Sequence, residues 1–256
     1  MSNERRVLVH RDKQALATAV AARFITKMVD ILDEQAEAHV VLTGGSVGIN
    51  VLSAINESEA RDTIDWARVN FWWGDERWLA RHDPERNELQ ARVALLDHID
   101  VAEANVHPMG AAGEGVELDD STARYAEELS AHAPVGSFLP SFDITFLGVG
   151  PDGHIASLFP HRSAIREREV SVLSVRRSPK PPAERITLSR PVLNSSERVW
   201  LVLAGSDKAS ALGLALAGAS RDEVPVAGIK GRRRTVFFID KAAAAEVPEN
   251  LIAPTY

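Results

Sequence analysis

Apolar residues recur along the chain in two alternating patterns, short continuous runs and longer segments with a spacing of three or four residues. The continuous runs are typical of β-strands that are buried on both faces. They predict six strands, at residues 7–9, 39–42, 69–73, 143–147, 199–203 and 236–239. The wider spacing predicts amphipathic helices. Its clearest example is the series Leu16, Val20, Phe24, Met28 and Ile31.

Further helices are predicted over residues 49–55, 85–98 and 207–216, so strands and helices alternate along the chain. This order predicts the α/β class, with a single three-layer α/β/α domain over residues 1–256 and a mostly parallel, Rossmann-like sheet. The proline-rich residues 178–182 are expected to be extended, and to interrupt one domain rather than link two. In such a sheet, ligands bind beyond the carboxyl ends of the strands.

Composition narrows the classes of function. The 256 residues are 45% hydrophobic and 25% charged, which is typical of a globular protein, and the absence of cysteine excludes disulfides and cysteine nucleophiles. A net charge of −7 argues against a nucleic-acid partner, because phosphate neutralisation dominates such binding. No apolar run reaches the roughly 18 residues of a membrane span, and residues 1–6 lead into no signal-type segment. A cytoplasmic protein without a membrane partner is therefore expected.

A glycine turn follows the second predicted strand, at Gly44, Gly45 and Ser46. Glycines in this place allow backbone N–H groups to converge on an anion at the start of a helix. The turn has neither the dinucleotide-binding spacing nor the P-loop spacing. Taken alone, the turn is a weak signal, and a tight turn without a function is the simpler interpretation.

Charged residues follow the third and fourth predicted strands. Asp75 and Arg77, within residues 74–77, form either a surface ion-pair cluster or part of a ligand crevice. In the segment that begins at Asp152, His154 is a candidate general base, since histidine exchanges protons near neutral pH. The alternative for His154 is a purely structural histidine.

Two further cations are candidates for the same crevice. Lys208 opens the helix after the fifth strand, and Arg185 follows the proline-rich stretch. For either residue alone, a solvated charge is the simpler interpretation. The remaining histidines show neither the H-x-x-x-H nor the H-E-x-x-H spacing, so no metal and no cofactor are expected.

In combination these motifs resemble the glucosamine-6-phosphate isomerase/6-phosphogluconolactonase family, and most closely its lactonases. The resemblance is carried, in chain order, by residues 44–46, 74–77, 148–160, 185–188 and 205–208. It implies a metal-free enzyme with a fold related to sugar-phosphate isomerases. It also implies hydrolysis of 6-phospho-D-glucono-1,5-lactone to 6-phospho-D-gluconate in the oxidative pentose phosphate pathway, so the expected partner is a small phosphorylated sugar lactone.

The sequence departs from the family pattern at several positions. Val47 and Gly48 stand where Thr-Pro is usual, which leaves Ser46 and backbone N–H groups to contact a phosphate. Asn87 follows an arginine instead of the usual serine, and is only a weak site candidate. Phe159 stands where the related glucosamine-6-phosphate deaminases carry a glutamate for ring opening, which favours the lactonase.

A non-catalytic sugar-phosphate-binding module is the remaining alternative. Regulators of that kind normally add a helix-turn-helix segment, and the residues before Thr43 are accounted for by one strand and one helix. The enzyme is therefore the favoured interpretation.

For hydrolysis, His154 is expected to take a proton from water through Nε2 or Nδ1, and to return it to the ring oxygen. Either Asp152 or Asp75 could orient its imidazole, and the sequence does not choose between them. Arg77 and glycine-loop N–H groups are expected to face the oxyanion. The phosphate is expected to lie among cations and glycine-turn N–H groups. These candidates are Arg77, Arg185, Lys208, Gly44, Gly45 and Ser46.

Overall fold

The computed structural model describes residues 4–252; residues 1–3, which belong to the N-terminal segment considered above, and residues 253–256 lie outside the described residues. The strands are β1 (Glu4–His10), β2 (Ala38–Leu42), β3 (Val69–Trp73), β4 (Asp75–Arg77), β5 (Phe142–Gly148), β6 (Val172–Val175), β7 (Arg185–Leu188), β8 (Arg198–Leu203) and β9 (Arg234–Asp240). The α-helices are α1 (Lys13–Glu34), α2 (Gly45–Asn56), α3 (Asn87–Ala94), α4 (Leu118–Ala131), α5 (Ser163–Arg166), α6 (Arg190–Asn194) and α7 (Ala209–Leu216). Short 3₁₀ helices lie at Glu59–Thr63, Trp66–Arg68, Leu96–His98, Glu103–Asn105, Ser206–Lys208, Pro225–Gly228, Ala243–Glu246 and Glu249–Leu251.

The main sheet has six strands in the order β1-β9-β8-β5-β2-β3, and all its pairings are parallel. Strands β2 and β3 are buried at every position, and β5, β8 and β9 at all but one. Burial of successive residues means that both faces of these strands are covered, as the continuous apolar runs predicted. The predicted α/β fold with a mostly parallel sheet is confirmed.

Helix α1 shows why the spacing of apolar residues was informative. Its five predicted core positions are all buried: Leu16, Val20, Phe24, Met28 and Ile31. The Asp12 side chain caps the helix by accepting a hydrogen bond from the Ala15 N–H at 2.8 Å. Within residues 4–252, no helix is both long enough and apolar enough to cross a membrane.

The order of strands reverses between β2 and β5. From β2 the chain continues to β3 at one edge, whereas the next main-sheet strands after β5 are β8 and β9, toward the other edge. Two neighbouring loops therefore diverge at the carboxyl ends of β2 and β5. A reversal of this kind opens a crevice, and ligands of open α/β sheets bind there.

A second sheet of three antiparallel strands, in the order β4-β7-β6, was not predicted. The sequence analysis placed residues 74–77 at a strand end, but Asp75–Arg77 is itself the strand β4. The Gly74 N–H still donates to the Leu42 carbonyl at 3.0 Å, after which the chain leaves the main sheet. Side chains of β4 are thereby held beside the crevice.

The proline-rich stretch is a bent loop between β6 and β7, so the prediction that it is extended was wrong. The Ser178 N–H donates to the Ala183 carbonyl at 2.9 Å and closes the loop. The Arg185 guanidinium donates to three successive carbonyl groups, those of residues 180–182, at 2.8–3.3 Å. These contacts reverse the chain direction, although each proline restricts only its own neighbourhood.

Two predicted helices are shorter in the structure, where each is joined to a 3₁₀ turn. Residues 85–98 contain α3 followed by the turn Leu96–His98, and residues 207–216 contain the end of the turn Ser206–Lys208 followed by α7. The start of α3 is fixed by Glu76, whose carboxylate accepts hydrogen bonds from the N–H groups of Asn87 and Glu88, both at 2.8 Å. A side chain of the preceding strand β4, 11 residues before Asn87, therefore sets this boundary.

Candidate active site

A cavity of about 260 Å³ lies at the crevice between β2 and β5. Of the residues proposed from the sequence, all except Asp152 line it: Gly44, Gly45, Ser46, Asp75, Arg77, His154, Arg185 and Lys208. The weak candidate Asn87 lines it as well. Its volume lies just below the roughly 300 Å³ at which pockets for drug-sized ligands begin, so it suits a small molecule.

The N-terminus of α2 faces this cavity, since residues 43–48 all line it. Helix α2 begins at Gly45, and no side chain caps it. The first N–H groups of a helix have no partner within the helix and carry a partial positive charge. Lys208 lines the same cavity and pairs with Asp207 beside it. Together these groups form a site suited to an anion such as a phosphate.

His154 presents an oriented imidazole to the cavity. Its Nδ1 lies 2.5 Å from Oδ1 of Asp152, and Lys180 Nζ lies 3.4 Å from the same oxygen. Partial burial raises the pKa of Asp152, but the hydrogen bond and attraction of His154, together with Lys180, outweigh it and hold the pKa well below its usual range. An ionised Asp152 accepts the Nδ1–H hydrogen, which leaves the lone pair on Nε2.

Two glycines allow this loop to form. Gly153 has a φ of 76°, in the left-handed region that favours glycine. A Cβ at Gly150 would lie 2.0 Å from the His154 ring and 2.7 Å from Oδ1 of Asp152. Ala156, with a φ of 46°, adds a strained non-glycine residue to the cavity wall. The position of the imidazole therefore depends on the missing side chain at Gly150.

The structure distinguishes between the two carboxylates that the sequence left open. Asp152 contacts His154, whereas the buried Asp75 accepts a hydrogen bond from Ser157 Oγ at 2.7 Å. Asp75 Oδ2 also lies 3.9 Å from Nη1 of Arg185. Among the described residues, the partners of the Asp75 carboxylate are thus Ser157, Arg185 and Asn87, whereas Asp152 is the carboxylate in contact with the imidazole.

Asn87 is fixed by its backbone and its side chain. Glu76 accepts its N–H, and Asn87 Nδ2 donates to the Asp75 carbonyl at 2.9 Å. Burial raises the pKa of Glu76 to about 7, although backbone N–H groups and a nearby guanidinium oppose this. Oδ1 of Asn87 is buried without a hydrogen-bond partner in the described residues, and it would lie 1.9 Å from a Cβ at Gly44. The glycine turn and Asn87 are therefore matched in shape.

The two arginines of the site differ in how many of their N–H groups are used. Arg185 donates to the carbonyls of residues 180–182, and its Nη1 lies 3.5 Å from Ser157 Oγ. Arg77 donates from Nη1 to the Glu85 carbonyl at 2.5 Å. Arg77 thus retains more donors for a ligand than Arg185 does.

Sequence reasoning missed two polar residues of this region. Ser157 lies inside the motif of residues 148–160, and a closer inspection of that motif could have found it. Lys180 lines the cavity and reaches Asp152, but it lies between two short strands that the sequence did not reveal. No spacing pattern points to Lys180, because its position depends on the bent loop.

The fold and the site define a parallel α/β protein with a cavity that suits a small anionic ligand. A histidine–aspartate pair stands at this cavity together with an uncapped helix N-terminus and a lysine. Such a pair can move a proton to and from a bound molecule.

Comparison with known proteins identifies the family. Residues 11–238 match the model of the glucosamine-6-phosphate isomerases/6-phosphogluconolactonase family, and the chain belongs to this family. It is 47% identical to the 6-phosphogluconolactonase of Streptomyces coelicolor over 258 residues, 99% of each chain. It is 43% identical to the 6-phosphogluconolactonase of Mycobacterium leprae, over 94% of this chain and 98% of that one. The structure of 6-phosphogluconolactonase from Trypanosoma brucei matches with a TM-score of 0.82 and 25% identity, covering 96% of this chain and 100% of that one.

Replacement of Gly150 by alanine should displace the His154 ring, because a Cβ would lie 2.0 Å from it. We expect the wild-type protein to show a strongly downfield ¹H NMR signal for the Nδ1–H hydrogen that Asp152 accepts. Gly150→Ala should shift or abolish this signal while the methyl region of the spectrum stays that of a folded protein.

Gly74→Ala is the matched control, since a Cβ there meets its nearest atoms at an ordinary 3.6 Å. His154→Gln assigns the signal. A Gly150→Ala protein with the wild-type signal would contradict the close packing described here.

Proposed function

We propose that this protein hydrolyses 6-phospho-D-glucono-1,5-lactone to 6-phospho-D-gluconate, the second step of the oxidative pentose phosphate pathway. The observation that carries the proposal is one cavity lined by both an oriented imidazole and an anion site. The substrate has the corresponding two parts, an ester carbonyl that water must attack and a phosphate at the other end. Relatives at 47% and 43% identity carry the name of this activity.

In the first step, Nε2 of His154 takes a proton from a water molecule as the water oxygen bonds to C1 of the lactone. The carbonyl oxygen becomes an oxyanion in a tetrahedral intermediate. The Asp152 carboxylate holds Nδ1–H and stabilises the imidazolium that forms, as a carboxylate does in a catalytic triad. We assign Arg77 to the oxyanion, because it lines the cavity and retains N–H donors.

In the second step, the bond between C1 and the ring oxygen breaks, and the imidazolium returns its proton to that oxygen. The product is a carboxylic acid, which ionises in neutral solution. Each turnover of the neutral ester therefore releases one proton, and neither a metal nor a cofactor enters these steps. The histidine is regenerated in its starting tautomer.

The phosphate is assigned to the N-terminus of α2 and to Lys208. Backbone N–H groups near Gly45 and Ser46 supply directed donors, and Lys208 supplies a full charge. Arg185 is placed differently from the sequence-based expectation. Because most of its donors bind the loop of residues 180–182, we propose that it positions Lys180 and Asp75 rather than the phosphate.

The residue next to His154 favours hydrolysis over the ring-opening chemistry of a deaminase. The Phe159 ring is buried and stacked on the His154 ring, with 4.6 Å between the centroids. A phenyl ring transfers no proton, so it cannot replace the glutamate of the deaminase pattern. Phe159 instead restricts the motion of the imidazole.

We place this activity in one domain that spans residues 1–256. One cluster of buried apolar residues draws on the chain from Val7 to Val247, which supports that interpretation. The cytoplasmic location and the absence of nucleic-acid and membrane partners remain predictions from the sequence.

The direct test is proton release from freshly generated 6-phospho-D-glucono-1,5-lactone, followed with a pH indicator against the spontaneous rate. We expect the protein to accelerate release catalytically and in proportion to its concentration. Glucosamine 6-phosphate should give no ammonia. Binding of the lactone without acceleration would instead identify a non-catalytic module, and ammonia release would identify a deaminase.

His154→Ala should lower kcat by at least about 100-fold with little change in KM, because general-base catalysis acts on the chemical step. Steady-state kinetics with the phosphorylated lactone measures both constants. His98→Ala, at an exposed histidine, is the control and should behave as wild type. A kcat near the wild-type value in folded His154→Ala would remove this residue from the chemistry.

Lys208→Ala should mainly raise KM, by about 10-fold or more, since a charge-assisted hydrogen bond is worth roughly 1.5–3 kcal/mol. The comparison is with Lys241→Ala, which removes an exposed lysine outside the cavity. If both variants keep the wild-type KM for the phosphorylated lactone, Lys208 does not bind the phosphate.

A further inference from the structure

A second cluster of ligating side chains lies outside the cavity, at the carboxyl end of α4. It consists of His107, Glu128 and His132, and one ring nitrogen or carboxylate oxygen of each lies within 4.8 Å of the others. None of the three lines the catalytic cavity. Glu128 and His132 are four residues apart, and His107 reaches them from the segment between the 3₁₀ helix Glu103–Asn105 and α4.

The hydrogen bonds around His107 determine which of its nitrogens carries the hydrogen. Asn70 Nδ2 donates to the carboxylate of Glu37 at 3.3 Å, so Oδ1 of Asn70 points the other way. This oxygen lies 3.1 Å from Nε2 of His107. Nε2 must therefore donate, and Nδ1 of the neutral ring is left with a lone pair.

That lone pair faces another acceptor. Nδ1 of His107 lies only 2.9 Å from Oε1 of Glu128, so this contact is favourable only if the ring is an imidazolium or if a bound cation lies between the two acceptors. His132 lies beside the same oxygen, with its Nδ1 3.7 Å away. That Nδ1 donates to the Glu128 backbone carbonyl at 3.0 Å, so Nε2 is the nitrogen of His132 that is left for an ion. Ligand atoms on a tetrahedral zinc ion are about 3.3–3.6 Å apart, given bonds of about 2.0–2.2 Å. The 2.9 Å between Nδ1 of His107 and Oε1 of Glu128 is shorter than this range, so the half-exposed Glu128 side chain must shift slightly to share an ion with that ring.

The surroundings hold both rings in place. The His107 ring stacks on the buried Trp72, with centroids 3.9 Å apart and planes 11° apart, and the His132 ring meets the same indole edge-on at 5.3 Å. Asn70 acts on His107 as an outer-shell acceptor does on a metal-bound histidine. The side chains of Glu128 and His132 are 45% and 35% exposed, so an ion can enter from solvent.

We propose that His107, Glu128 and His132 bind a divalent transition-metal ion, with zinc as the representative ion and water completing its coordination. Two imidazoles and one carboxylate are a ligand set that suits zinc. No metal was expected from the sequence, because the ligands come from two segments 21 residues apart and show no helical histidine pair. The bound ion would join the end of α4 to the segment that precedes this helix, away from the reaction.

The test is isothermal titration of tag-free, chelator-treated protein with Zn²⁺, followed by thermal unfolding with and without the ion. His132→Ala and Glu128→Gln are the test variants, because the half-exposed side chains allow both to fold. Each should weaken binding by at least about 10-fold, the lower end of what the loss of even an outer-shell partner causes. Wild type should bind one ion here and unfold at a higher temperature with zinc.

Two controls separate this cluster from other histidines. His154→Ala removes the imidazole of the cavity, and His98→Ala removes an exposed one; both should keep the wild-type affinity of the cluster. Wild-type binding no tighter than about 1 mM would overturn the proposal and leave only an imidazolium–carboxylate pair. Binding that survives either His132→Ala or Glu128→Gln unchanged would overturn it as well.

Discussion

The hydrogen bond between Nδ1 of His154 and Asp152 is the interaction on which the proposed chemistry of the cavity depends. It fixes the tautomer of the imidazole, so only Nε2 remains to accept a proton. The bond requires a tight loop, and that loop requires Gly150 and Gly153 in place of larger residues. The loop in turn stands at the crevice because the strand order reverses between β2 and β5.

The cavity is locally cationic although the protein has a net charge of −7. Arg77, Lys180, Arg185 and Lys208 all line it, and the uncapped start of α2 adds its partial positive charge. Short-range contacts outweigh the field of distant surface carboxylates, which salt screens beyond about 10 Å. An anionic substrate is therefore compatible with an acidic protein.

The sequence predicted what depends on local periodicity, and missed what depends on distant pairing. The six main-sheet strands and the buried face of α1 follow from apolar spacing alone. The sheet of β4, β7 and β6 could not be predicted in this way, since its strands have only three or four residues and β4 pairs with β7 across more than 100 residues of chain. Lys180 was missed for a different reason: the loop that joins β6 and β7 is shaped by its own hydrogen bonds and by Arg185, which no apolar spacing reveals.

The choice between Asp75 and Asp152 shows the same limit within the site. Both carboxylates follow strands that end at the crevice, so position along the chain does not separate them. What distinguishes them is a distant partner. The Ser157 hydroxyl, 82 residues along the chain from Asp75, donates a hydrogen bond to the Asp75 carboxylate. Asp152, two residues from His154, needs no distant partner to reach the ring.

The two imidazole–carboxylate pairs of this protein contain the same groups and differ in what holds the other ring nitrogen. In His154, the carboxylate of Asp152 takes the Nδ1 hydrogen, and the lone pair on Nε2 is available for proton transfer. In His107, Asn70 takes the Nε2 hydrogen, so the lone pair on Nδ1 is directed at the carboxylate of Glu128. The first arrangement suits a base that gains and loses a proton. In the second, the Asn70 amide holds the Nε2 hydrogen, and the lone pair that faces Glu128 is the basis of the proposed cation site.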